Sequence, residues 1–149
     1  MNLFDNKNGE LEKTDNSLEL LNTIQTKEEL NYVFKDTTPE NVVGGASHVY
    51  YIASVADSQG TPESDDFEAS VLMEVQFQQG PRKEKSSIPG CLDVDLLEIV
   101  RDRLKGFQSG EFANEYNAKA LQAVEEALNS LNQRIEDRIN RGVLGTNNQ

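Results

Sequence analysis

The chain has no tryptophan, one cysteine and one histidine among its 149 residues, and each scarcity removes a class of chemistry. With Cys91 alone, no intramolecular disulfide can form, and a reducing compartment is expected. Nucleophilic hydrolysis needs a serine or cysteine beside a base. The one histidine, His48, alternates along a strand-like segment next to "GGAS", which is the setting of a structural histidine. Metal chemistry needs clustered ligands, and neither Asp65 and Asp66 in a polar loop nor isolated glutamates on helices supply them. "GGAS" lacks the lysine and spacing of a phosphate-binding P-loop. No enzyme, metal or cofactor is expected.

Positive charge is also scarce: 14 Lys and Arg stand against 26 Asp and Glu, a formal net charge of −12. Ordinary DNA or RNA binding draws its affinity largely from neutralised phosphates, so nucleic acid is not an expected partner. No apolar run approaches the roughly 20 residues that cross a bilayer, and "MNLFDNKNGELEKTD" does not read as a signal peptide. A soluble cytoplasmic protein without membrane partners is expected. Hydrophobic residues make up 36% of the chain and the mean hydropathy is −0.62. That points to a limited core, exposed arms and reliance on self-association.

Three regions follow along the sequence. Residues 1–45 form an acidic N-terminal extension, read as an arm that docks on the body or a neighbouring subunit. Within it "SLELLNTIQTKEELNYVF" spaces Leu18, Leu21, Ile24 and Leu30 as in one or two short helices. Residues 46–90 form a β-sheet region and connector. A Gly44-Gly45 turn leads into "HVYYIASV", where His48, Tyr50 and Ile52 alternate against Val49, Tyr51 and Ala53. "DSQGTPESDD" is a polar loop, and "EASVLMEVQFQ" is the clearest strand, with Val71, Met73, Val75 and Phe77 on one face. The two strands are expected to pair as a hairpin with a long loop.

Residues 91–149 read as a helical hairpin domain with a C-terminal tail. Asp93 is the expected N-cap of a helix whose Leu97, Val100, Leu104 and Phe107 recur at three- and four-residue spacing. After "SGEFANEYN", Leu121, Val124, Leu128, Leu131 and Ile135 repeat the pattern. From Asn117 to Arg141 that second helix would span about 37 Å, with Gly142 as its stop. The fold class is α+β: a small antiparallel sheet followed by an antiparallel helical hairpin, with the acidic extension in front.

Six of the 14 cations fall in two clusters near the C-terminal half's ends. Residues 1–80 hold 4 Lys and Arg against 15 Asp and Glu, whereas residues 81–149 hold 10 against 11. Arg134, Arg138 and Arg141 fall at i, i+4 and i+7, one stripe on a helix, followed by "GVLGT" with Thr146. One reading is a helix C-terminus favoured by the macrodipole, with Glu136 and Asp137 pairing locally. The other is a phosphate grip, because guanidinium forks bind phosphate oxygens bidentately. Remote carboxylates do not forbid it, since the Debye length at physiological salt is about 8 Å. In "FQQGPRKEK", Phe77 precedes Gln79, the Gly80-Pro81 turn, and the cations Arg82, Lys83 and Lys85. This is either a strand end with solvated charges or an aromatic platform for a base, whose stacking contributes about 1–3 kcal/mol.

From "VQFQQGPRKE" to "RGVLGT", about residues 71–147, the sequence resembles a phage family of Thoeris anti-defence and anti-CBASS sponge proteins. The resemblance rests on an ordered series of motifs: "FQ-x-GP", "D-LL-IV-DRL-FQ-G-FA", "YN-A", "EEAL" and "R-x3-R-x2-RGV-x-GT". It implies a protein that sequesters glycocyclic ADP-ribose isomers or cyclic oligonucleotides inside the infected bacterium without degrading them. It further implies a sheet beside the hairpin, assembly of identical copies as dimers or higher oligomers, and ligand pockets between protomers. Carried over, Phe77 would stack on a base and Gln79 would recognise an edge. Arg134 and Arg138 would grip phosphates, with Arg141 and Thr146 nearby and Pro81, Arg82 and Lys83 lining the turn. Gln79 stands where the family more often has Asn, and "NSL" at 129–131 where a Trp-containing segment is common. The rival reading is an acidic interaction module or DNA mimic, in which the first 80 residues contact a basic host protein and the arginines merely finish a helix.

Overall fold

In the computed structural model, residues 17–55 and 67–148 are described. The polar loop with Gly60, Pro62, Asp65 and Asp66 lies outside them. The chain divides into two compact units, 1–76 and 77–149.

The first unit is built on a four-stranded antiparallel sheet in the order β1-β2-β5-β6. Its strands are β1 (Leu18–Leu20), β2 (Asn31–Asp36), β5 (Val49–Ser54) and β6 (Val71–Gln76). Between β2 and β5, β3 (Val42–Val43) and β4 (Ala46–Ser47) form a separate ribbon. Gly44 and Gly45, at φ +63° and +83°, close that ribbon with the two left-handed residues that a tight hairpin turn requires. Period two decides β5: Val49, Tyr51 and Ala53 are buried while the residues between them are half-buried. Phe34 lies opposite Tyr51 in the register, and Phe67 of α1 (Phe67–Ser70) meets Phe34 edge to face at 5.3 Å. These residues are the core of the unit.

No helix forms within residues 17–34: Leu18–Leu20 is β1, residues 31–34 belong to β2, and the residues between are neither helix nor strand. Ile24 and Leu30, two members of the apparent helical stripe, are 104% and 81% exposed, so no apolar face was there to be packed. The alternation Tyr32–Phe34, paired across to β5, wins over the local spacing. The expected pairing of β5 with β6 is present, antiparallel, with a register shift between Ile52 and Ala53. That shift takes Val71 out of the period-two register with Met73 and Val75, and the face the latter two share is unevenly covered: Val75 is 7% exposed and Met73 48%. Phe77 is not part of the strand; it opens the second unit.

The second unit holds the helical hairpin, α2 (Asp93–Gln108) and α3 (Glu115–Asn140), packed against each other. Asp93 is the first helical residue rather than the cap. Asp95, one turn in, accepts the Leu92 N–H at 2.8 Å and so satisfies an N-terminal donor from inside the helix. Asn114 caps α3 by accepting the Asn117 N–H at 2.8 Å. Between the helices, Arg101 donates Nε–H to Glu125 at 3.0 Å and Nη1–H to Glu98 at 3.3 Å. Leu97, Leu104, Leu121, Val124, Leu128 and Ile135 are half-buried along the seam, whereas Val100 and Phe107 are exposed. Neither helix has a buried residue. None of the described helices is long and apolar enough to cross a membrane.

Candidate ligand-binding site

The end of α3 is where the arginine stripe meets the tail. Gly142, at φ +70°, lets the chain reverse: its N–H donates to Ile139 O at 2.9 Å, and the Val143 N–H reaches Arg138 O at 3.0 Å. That pair of bonds is a Schellman closure, which satisfies carbonyls the helix leaves open. A second left-handed glycine, Gly145 at φ +75°, folds the tail back again. Thr146 then donates its hydroxyl to Val143 O at 2.7 Å and accepts the Asn148 N–H at 3.3 Å.

Arg138 is the centre of this turn. Its Nη2 lies 2.9 Å from Val143 O, 3.1 Å from Thr146 O and 3.1 Å from Asn148 O. The guanidinium therefore spans the tail and is half-buried. Arg141 is paired with Asp137 on the exposed surface, Nη2 to Oδ2 at 2.9 Å. Arg134 is exposed and has no ion pair or hydrogen bond among the described residues.

The second cationic segment is a tied loop. Gln79 and Ile88 exchange backbone hydrogen bonds at 2.9 and 2.8 Å, and Phe77 bridges Cys91 in parallel. Pro81 O accepts the Glu84 N–H at 3.0 Å, which sets the turn that carries Arg82 and Lys83. Arg82 donates to Gly90 O at 3.0 Å, so it braces the loop while staying exposed. Gln78 braces it from the other side, donating to Gly80 O at 3.0 Å and accepting the Gly90 N–H at 3.3 Å. Only the density of amides in "FQQGP" hinted at that role for Gln78. Gly80, at φ +85°, is required here, because a Cβ would stand 2.5 Å from Ser87 Oγ.

The two cationic segments, distant in sequence, are joined. The Lys83 N–H donates to Gly145 O at 3.1 Å, and the Lys83 stem lies so close that a Cβ on Gly145 would stand 3.1 Å from Lys83 Cγ. Lys83 and the turn carrying Thr146 thus form one surface, with Arg138 beneath its carbonyls. Phe77 and Gln79 sit half-buried at the base of the loop, their backbones committed to its closure. A separate cleft of about 330 Å³ runs between α2 and α3, lined by Val94, Glu98, Arg101, Glu125, Leu128, Asn129, Asn132 and Ile135. It contains none of the residues expected at the site, and its arginine is already held by two carboxylates. Burial raises the Cys91 thiol above its ordinary range, with Asp95 and Asp93 adding to the shift, so this sulfur stays protonated at neutral pH.

The Acb2/Tad1 hairpin domain family matches residues 70–136, from the start of β6 through most of α3 and including Arg134. Among curated proteins, the chain is similar to "Thoeris anti-defense 1" of Bacillus phage SBSphiJ7, 44% identical over 78 residues. Those residues are 52% of this chain and 54% of the relative, so the chain spans about half the length of the protein it matches. The motif series, the hairpin and both comparisons point the same way: over its hairpin domain this chain is similar to phage Thoeris anti-defence proteins.

Proposed function

We propose that this protein binds a cyclic nucleotide immune messenger, glycocyclic ADP-ribose or a cyclic oligonucleotide, and holds it without chemical change. It would thereby block Thoeris or CBASS signalling in the cytoplasm of the infected host. The observation that carries the reading is the Lys83–Gly145 hydrogen bond, which joins the Lys83 loop to the ordered turn that follows the arginine stripe. Arg134 and Lys83 supply the charge for phosphate oxygens, and Phe77 supplies a ring for the base. Nanomolar binding, about −12 kcal/mol, is within reach of several charge-assisted contacts plus one stack.

The same reading includes a homo-oligomer, dimer or larger. Support comes from the helices themselves, which bury no residue and leave Ile99, Val100 and Ile139 exposed. Helices of a globular protein are stabilised chiefly by packing an apolar face, and a second copy supplies one. Retention without turnover fits a site that offers no activated nucleophile, with Cys91 held as the thiol.

The test is recovery. The protein is mixed with a panel of cyclic nucleotides and cyclic ADP-ribose isomers, filtered, heat-denatured, and the released compound is analysed. Intact messenger returned in stoichiometric amount is the expected result. A cleaved product would make the protein an enzyme, and failure to retain any compound at low ionic strength would end the proposal.

A further inference from the structure

Resting on that reading of the site, we infer that Gln78 is a positioning residue, which holds the loop bearing Arg82, Lys83 and Lys85 in its binding conformation before any ligand arrives. Its half-buried side chain reaches both ends of the loop. Nε2 donates to Gly80 O at 3.0 Å, and Oε1 accepts the Gly90 N–H at 3.3 Å. A carboxamide carries the donor and the acceptor that this pair of contacts requires, whereas a carboxylate or a hydrocarbon of similar length does not supply both. The loop is closed beside it. Gln79 and Ile88 exchange backbone hydrogen bonds, and Gly80 packs so tightly that a Cβ there would stand 2.5 Å from Ser87 Oγ.

Charge does not hold this loop. Within residues 82–85 three cations stand against Glu84, and none of the three makes an ion pair among the described residues. Electrostatics alone would spread the segment, because like charges this close repel. Neutral groups hold it instead, the Gln78 amide at both ends and the Gly90 carbonyl, which takes Arg82 at 3.0 Å. That leaves net positive charge for an anion. The Lys83 backbone is fixed in turn to the C-terminal tail, through Gly145 O at 3.1 Å. Ordering a loop costs free energy at the moment of binding unless the free protein has already ordered it. Gln78 therefore raises affinity through Lys83 and its neighbours.

Salt dependence and amide exchange together test the role. The experiment uses the full chain as wild type, Gln78→Met, Gln78→Glu and Lys83→Met. Glycocyclic ADP-ribose is titrated at several salt concentrations, and backbone amide exchange is measured without ligand. In Gln78→Met the bound loop still makes its phosphate contacts, and only the cost of ordering it is added. Affinity should fall about tenfold, roughly 1.4 kcal/mol, with the salt slope unchanged. The Gly90 and Ile88 amides should exchange about tenfold faster while those of α2 and α3 keep their protection, the mark of a local tie. Gln78→Glu keeps the acceptor and loses the donor, so Gly90 should stay protected there. Lys83→Met removes a charge and keeps an apolar stem; it should flatten the slope and leave Gly90 exchange alone. Unchanged affinity or a flattened slope for Gln78→Met, or unchanged exchange at Gly90, overturns the inference. If wild type retains no glycocyclic ADP-ribose, the binding proposal fails for that messenger, and exchange at Gly90 alone decides whether Gln78 sets the loop.

Discussion

The two units of this chain solve the same problem in opposite ways. Unit 1–76 contains all the buried apolar side chains among the described residues: Phe34, Val49, Tyr51, Ala53, Phe67 and Val75. Unit 77–149 holds the two longest elements and buries none of their residues. A short-stranded sheet thus closes on a few aromatic side chains. The long hairpin instead presents a seam that is only half-covered and outer faces studded with isoleucine and valine. The difference shows that regular local structure and a closed core are separate achievements.

The largest test of this contrast is in the core. Phe34→Ala should destabilise the sheet by about 3–5 kcal/mol, because the ring meets both Tyr32 and Phe67 and is 1% exposed. Chemical denaturation followed by tyrosine fluorescence would read it. Leu128→Ala in the half-buried seam removes a side chain of similar size, but should cost only about 1–2 kcal/mol in dilute protein. Raising the protein concentration should enlarge that cost if a second copy covers the seam, since association stabilises by mass action. A cost independent of concentration, or one equal to that of Phe34→Ala, would break the comparison. A smaller effect belongs to Gly142→Ala: with φ at +70° and open space around it, the penalty is conformational alone, about 1 kcal/mol, read as a lower melting midpoint of the helical signal.

The same contrast governs how much was legible in the sequence. The hairpin was, because its evidence is local: apolar residues three and four apart over long stretches, and Gly142 at the end of α3. The strands β1 and β2 were not, because what makes Phe34 a strand residue is Tyr51 on a partner strand, and no local period reports that pairing. At the site, the i, i+4, i+7 spacing correctly grouped three arginines. It could not say that they point to different ends, with Arg141 to Asp137, Arg138 to its own tail and Arg134 to solvent. Gly145 was the missed clue, since two left-handed glycines within four residues return the chain toward the helix it has just left.

The smallest effect at neutral pH is expected at Tyr51, where the closed core carries a flaw. The hydroxyl is buried with no hydrogen-bond partner among the described residues, and the side chain is 0% exposed. Burial, then the nearby Glu74 and Asp36 carboxylates, push the phenol well above its ordinary value. Tyr51→Phe removes an unsatisfied polar group and should stabilise the sheet by about 1 kcal/mol in denaturant titrations. The folded state keeps its proton to higher pH than the unfolded chain does. Wild type should therefore hold its stability below the ordinary phenol value, near 10, and lose it as pH rises beyond that point. The variant lacks this loss, so the gap between the two proteins should widen by up to about 1.4 kcal/mol per pH unit on the alkaline side. Parallel stability curves across that range would mean that the hydroxyl finds a partner in solution, and that the core of the first unit is less closed than the second unit's exposed seam makes it look.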